Sequence, residues 1–275
     1  MDELKAPRPL AVVTGASSGI GYHLARCAVD HGYDLIVAAD TSLDAAVSDF
    51  ESLGAKVHAA VQADLASTPG VQQLIDAIGD REVDALLANA GHGLGGAFLD
   101  QKFEDILHVV NTNVTGTVHL IHHVVGRMRA RAHDRGHGRI LITGSIAGFQ
   151  PGAFQAVYNG TKAFVDSFAA ALRNELKDTP ITVSCLMPGA TDTEFFVRAD
   201  MVDTKVNTDP KMDPAEVARL GFDAMLKGEA DVVTGLKNRM QVVMSKVLPS
   251  QAVAEMHRKL AEPGTGKEPT SVDKE

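Results

Sequence analysis

The strongest constraint on the fold is a rhythm. Short apolar runs alternate with longer segments of helical spacing along most of the 275 residues. Leu10-Ala-Val-Val13, Asp34–Ala39, Lys56–Val61, Asp84–Ala88, Arg139–Thr143 and Ile181–Met187 each read as a strand. None alternates apolar with polar residues as a half-solvated strand would, so each suits a parallel sheet covered on both faces. Helical patterns fall between them, near 43–53 and 70–78, over Phe103–Arg131, and over Tyr158–Lys177. Strand and helix in alternation predict a single α/β domain, a Rossmann-type doubly wound parallel sheet flanked by helices.

Past Met187 the rhythm loosens. Residues 190–214 mix Asp, Thr and Phe and are expected to form a lid over substrate. A helix over Pro214–Lys227 and a last short strand at Asp231–Thr234 complete a core domain of residues 1–235. Residues 236–261 read as a helical extension interrupted at Pro249, and 262–275, rich in Pro, Gly, Lys and Glu, as a disordered tail.

Charge and cysteine content narrow the function. The formal charge of −9 argues against nucleic acid as a partner, which would need a basic face for phosphates. Cys27 and Cys185 have no metal-ligand spacing, and two distant thiols suit a reducing compartment. No signal peptide is evident and no run approaches the length of a membrane span, so a cytoplasmic location is expected. No metal site is expected: His119, His122 and His123 share a helical spacing but have no carboxylate or thiol to complete a set. Met240–Leu248 is amphipathic with flanking basic residues, and packing on the body or on a partner subunit is favoured over lying on a membrane.

Thr14-Gly-Ala-Ser-Ser-Gly-Ile-Gly21 lies between the first strand and the first helix. Glycines there admit a diphosphate to the backbone, and the helix N-terminus offers free N–H donors and partial positive charge. Asp40 follows nineteen residues after Gly21, near the end of the second strand, where a carboxylate binds ribose hydroxyls and repels a 2′-phosphate. Asp40 is itself an anion and no cation neighbours it in the sequence, so NAD is favoured over NADP. Gly91-His-Gly-Leu-Gly-Gly96 also fits a glycine-rich pattern, but lacks the downstream acid and reads as a loop at the carboxyl edge of the sheet.

Tyr158 and Lys162 are four residues apart on a predicted helix and so share a face. An ammonium there favours the phenolate of a tyrosine whose ordinary pKa is near 10. Ser145, at the end of the fifth core strand, offers a hydroxyl to the same cleft.

Together these motifs resemble the short-chain dehydrogenase/reductases, in the right order over nearly the whole chain to about residue 235. The resemblance implies a nicotinamide-dependent oxidoreductase that moves a hydride between NAD(H) and an alcohol or carbonyl. It implies cofactor contacts from Gly15, Ser17, Ser18, Gly19, Ile20 and Gly21, from Asp40, and from Asp64-Leu65 at the adenine. Asn89-Ala90-Gly91 matches an element that steadies the central strand, and Pro188-Gly189 with Thr191 and Thr193 matches the turn at the nicotinamide amide. Tyr158 is implied as general acid/base, with Lys162 lowering its pKa and binding ribose, Ser145 polarising the substrate, and Asn113 holding a relay water. A homodimer or homotetramer is implied, through the helices at 103–131 and 158–177.

His92, Phe149, Phe154, Gln155, Phe195 and Phe196 are the candidate substrate contacts, and an apolar pocket would suit a hydrophobic small-molecule alcohol or ketone. The competing readings are a non-redox relative, a lyase or isomerase, and a cofactor-sensing binding protein.

Overall fold

A computed structural model describes residues 8–131 and 137–266. Strands β1 (Leu10–Thr14), β2 (Asp34–Ala39), β3 (Val57–Gln62), β4 (Ala85–Ala88), β5 (Gly138–Thr143), β6 (Ile181–Met187) and β7 (Asp231–Val233) form one sheet. Its order is β3-β2-β1-β4-β5-β6-β7, and every pair is parallel. Parallel neighbours need crossovers, and helices supply them. The chain order reverses between β1 and β4, which opens a crevice at the carboxyl ends of those strands.

Two cores flank the sheet. Helices α1 (Gly19–Asp30), α2 (Asp44–Ser52) and α9 (Pro214–Lys227) cover one face, with Leu24, Phe50 and Phe222 fully buried among strand residues Val13, Val37 and Leu87. Helices α3 (Thr68–Ile78), α5 (Thr117–Arg131) and α6 (Ala156–Glu175) cover the other, burying Leu74, Ile121, Met128 and Val165 against Val12, Leu86 and Ile140. Strands β1 and β4 are buried along their whole length, as their unbroken apolar runs require. Helix α9 shows how local chemistry sets its ends. Asp213 accepts from the Ala215 N–H, Pro214 sits at the first helical position, and Gly228 takes the left-handed conformation at φ 68°.

The long helix expected over Phe103–Arg131 is divided. Helix α4 (Phe103–Val110) passes through a π-helical turn, Asn111–Gly116, before α5 begins. The wider turn lets the Asn113 amide reach both the 92 loop and α6, and it presses Gly116 against the Leu65 backbone.

The 190–214 segment is more ordered than its composition suggests. It holds two short helices, α7 (Phe195–Arg198) and α8 (Lys205–Thr208), and a bridge between Thr191 and Met212 closes its base. The extension is two helices, α10 (Leu236–Val247) and α11 (Ser250–Ala261), separated at Pro249. Residues 262–266, which composition assigned to a loose tail, turn back onto this segment. The Gly264 N–H donates to Asp203 Oδ2 at 2.8 Å and Lys205 N–H to Thr265 Oγ1 at 3.1 Å. The remainder of that tail, 267–275, lies outside the described residues. Helix α10 rests on the body through Val242 and leaves its other apolar residues exposed, so the body takes only one side of the helix that was expected to pack there or on a partner subunit. Among the described residues no helix is long and apolar enough to cross a membrane.

Candidate active site

The crevice at the strand ends holds a cavity of about 260 Å³. On its β1 side the Gly-rich turn folds tightly. Gly19 has φ +56°, a conformation that residues with a Cβ rarely adopt, and a Cβ on Gly21 would stand 2.1 Å from the Gly15 carbonyl oxygen. Ser18 precedes α1 in extended conformation and makes no side-chain cap, and no acid stands in the first turn. The N–H groups of that helix end are therefore left for an anion, and a dinucleotide diphosphate fits them.

Asn89 ties the three central strands. Its N–H donates to Thr14 Oγ1 at 3.0 Å, its amide donates to Thr14 O at 3.2 Å, and its carbonyl oxygen accepts from Thr143 Oγ1 at 3.1 Å. Gly15, Ser17, Ser18, Gly19 and Ile20 line the cavity, as do Asp40, Asp64 and Leu65, and Asn89, Ala90 and Gly91. Pro188, Gly189, Thr191 and Thr193 line it from the β6 side. Gly21 lies behind the turn it closes.

Ser145, Tyr158 and Lys162 face the same cavity, although all three side chains are buried. Tyr158 hydrogen-bonds Ser145, and Lys162 Nζ donates to the Thr143 carbonyl at 2.8 Å. Burial pushes the Tyr158 phenol up to about 12, against the downward pull of the Ser145 bond. Lys162 is the cation expected to oppose that rise. Its Nζ sits 6.0 Å from the ring centroid, and burial lowers its own affinity for a proton. Tyr158 thus holds its proton at neutral pH.

Asn113 stands behind the cavity. Its amide donates to His92 O and to Thr161 Oγ1, each at 2.9 Å, and its oxygen accepts from the His92 N–H at 2.8 Å. With the side chain so occupied, a relay water would have to use a main-chain oxygen.

Of the proposed substrate contacts, Gln155, Phe195 and Phe196 line the cavity, and the Phe195 ring lies 5.2 Å from that of Tyr158. Phe149 instead packs on the core beneath the Lys246 ammonium, and Phe154 stacks under Arg258. His92 lies in the cavity wall but serves the cofactor side. Its Nε2 stands 3.1 Å from Asp40 Oδ2 and 2.9 Å from Arg198 Nη2, so the ring is already engaged.

Sequence reasoning missed Arg198. This guanidinium reaches back from α7 to the Asp40 carboxylate. A cation does therefore stand beside Asp40 in the cleft, supplied by the 190–214 segment rather than by the sequence neighbours of Asp40. The His92 and Arg198 hydrogen bonds hold the Asp40 carboxyl far below the usual carboxylate range despite its partial burial. Sequence reasoning read a helical extension over 236–261 but did not place it at the cleft, where α11 seals the far end with His257, Leu260 and Ala261. The signal was present: Val253, His257 and Ala261 recur every four residues and are the buried positions of that helix.

Asp166 lies one turn beyond Lys162 and is buried at 8 % exposure. Its Oδ1 accepts from the Ser145 N–H at 3.3 Å and from the Cys185 thiol at 3.7 Å. Burial raises its pKa to about 6, with Lys162 opposing.

The family model for short chain dehydrogenases matches residues 9–201. An uncharacterized oxidoreductase of Myxococcus xanthus is 30% identical over 248 residues, covering 87% of this chain and 92% of that one. A short-chain dehydrogenase from Sphingobium yanoikuyae in complex with NADPH is 30% identical with a TM-score of 0.75, covering 88% of this chain and 97% of that one. A 3-oxoacyl-[acyl-carrier protein] reductase from Brucella melitensis in complex with NAD is 27% identical with a TM-score of 0.69, covering 83% and 96%. The chain belongs to the short-chain dehydrogenase family. It is an NAD(P)-dependent oxidoreductase that transfers a hydride to or from a hydroxyl or keto group.

Proposed function

We propose that the chain interconverts an uncharged, largely apolar ketone and its secondary alcohol, with NAD(H) in preference to NADP(H). The observation that carries this reading is the meeting of Tyr158, Ser145 and Lys162 in one cavity with the uncapped end of α1. Bound nicotinamide supplies or accepts the hydride. In reduction Tyr158 gives its phenolic proton to the carbonyl oxygen while Ser145 donates a hydrogen bond to the same oxygen. In oxidation the phenolate takes the hydroxyl proton. Lys162 favours that phenolate once it forms and holds the nicotinamide ribose.

Asp40 supports NAD, because an ionised carboxylate accepts ribose hydroxyls and repels a 2′-phosphate. The substrate class rests on the lid and α11, where Phe195, Phe196, Leu260 and Ala261 present apolar surface beside the uncharged amides of Gln150 and Gln155. We place the enzyme in the cytoplasm as a homodimer or homotetramer. Phe103 and Leu107 on α4 and Phe164 on α6 are exposed apolar residues on the helices assigned to that contact. A panel of ketones and secondary alcohols, followed by NADH absorbance with each dinucleotide, tests the reading. Turnover of bulky apolar ketones with NADH supports it; activity confined to anionic substrates, or to NADPH, overturns it.

A further inference from the structure

Helix α10 turns its apolar side outward. Leu236, Met240, Val243, Met244 and Val247 recur at i, i+4, i+7, i+8 and i+11, and so form one continuous stripe. All five are exposed, Leu236 at 75 % and Val247 at 79 %. The opposite side, with Val242, rests on the turn Ile146–Phe149. At about 100° per residue, Lys237 borders the stripe on one side and Arg239 and Lys246 border it on the other.

The charge around this helix opposes that of the whole chain. From Val232 to Ala254 there is no Asp or Glu, whereas the protein carries a formal charge of −9. Among the described residues, none of the three bordering cations forms an ion pair. Lys246 lies over the Phe149 ring and Arg239 Nε donates to the Val233 carbonyl, and both side chains remain exposed. Residues 267–275 read Lys-Glu-Pro-Thr-Ser-Val-Asp-Lys-Glu, which offers almost no apolar side chain to cover the stripe.

We propose that α10 is a docking face for an anionic lipid bilayer, its apolar stripe lying among the acyl chains and its three cations at the headgroups. An outward apolar stripe bordered by Lys and Arg is the pattern of an interfacial helix. Pairing with the same helix of a second copy is disfavoured, because it would bring two sets of three cations together without an acid between them. Docking would also set the substrate cavity near the membrane, since Gln241 on α10 and Leu260 on α11 line it. A substrate that partitions into lipid would then enter from the bilayer, which extends the proposed apolar substrate class.

Co-sedimentation of the full chain with vesicles tests this without reference to catalysis. With equal parts phosphatidylcholine and phosphatidylglycerol the protein is expected to pellet; with phosphatidylcholine alone, or in high salt, it is expected to stay in solution. Leu236→Ser/Val243→Ser/Val247→Ser and Lys237→Glu/Arg239→Glu are each expected to lower the bound fraction at least ~10-fold at unchanged melting temperature. Wild-type protein that ignores anionic vesicles, binds neutral ones equally, or binds equally after either set of substitutions overturns the proposal. Loss of an oligomer in sedimentation velocity on the Ser substitutions, with no vesicle binding by the wild type, assigns the stripe to a second copy and also overturns it.

Discussion

Arg198 on α7 pairs with Asp40 at the end of β2, joining two residues 158 positions apart in the chain. This contact lies in the cleft proposed for the dinucleotide, so the 190–214 segment is held by the same carboxylate that would receive the ribose. With Asp40 ionised, Arg198 is neutralised and a 2′-phosphate meets a carboxylate. Asp40→Ser removes the repulsion and releases the guanidinium to meet a phosphate. The ratio of kcat/KM for NAD to that for NADP is expected to fall at least ~10-fold, equivalent to about 1.4 kcal/mol. Steady-state kinetics with both dinucleotides decides the matter. An unchanged ratio would mean that Asp40 serves the lid alone.

Tyr158→Phe removes one hydroxyl from a buried ring and leaves its packing on Phe195 in place. The variant is expected to bind cofactor and melt like the parent while kcat/KM falls at least ~10²-fold. Stopped-flow measurement of hydride transfer separates this loss from slower product release. A variant of full activity would remove Tyr158 from the chemistry.

Asp166 gives the fold a titration of its own. Its ordinary pKa of 3.8 rises to about 6 in the native state, mainly through burial, although Lys162 opposes the rise and Asp231 adds to it. Between those values the native state binds more protons than the unfolded chain. Its contribution to stability is therefore largest below about pH 4 and falls as the pH climbs to about 6, by on the order of 2–3 kcal/mol. Asp166→Asn should abolish that slope. Urea midpoints across this range provide the measurement, and a slope that persists in the variant would assign it to other groups.

The sheet was readable because its strands are covered on both faces, so runs such as Asp34–Ala39 are apolar without alternation. Helix α9 was readable from its caps, Asp213-Pro214 before and Gly228 after. The motif residues along the Gly-rich turn and around Tyr158 were readable because their order in the chain follows the strand ends. The π-helical turn at Asn111–Gly116 was not, since its extra width answers to contacts with His92, Thr161 and Leu65 that lie far off in the chain. Arg198 was hidden for a similar reason: its meeting with Asp40 depends on how the 190–214 segment folds over the cleft. Phe149 and Phe154 were placed at the pocket by proximity to Tyr158, but the tight turns between β5 and α6 point them elsewhere. Phe154 itself sits at φ 62°.

Gly144 is the residue whose size the site depends on most directly. A Cβ there would stand 1.9 Å from Asp166 Oδ1 and 2.9 Å from the Cys185 sulfur. Both neighbours are buried, so neither can swing into solvent. Gly144→Ala must push the Asp166 carboxylate away, which costs about 1–3 kcal/mol and strips the Ser145 N–H of its acceptor. Ser145 then loses its alignment with Tyr158, so kcat should fall together with the urea midpoint. The cause is separable with a double-mutant cycle. If the clash is with Asp166, Gly144→Ala should cost far less in an Asp166→Ala background, with a coupling energy above about 1 kcal/mol. Additive losses would place the strain on Cys185 or the β5 backbone instead.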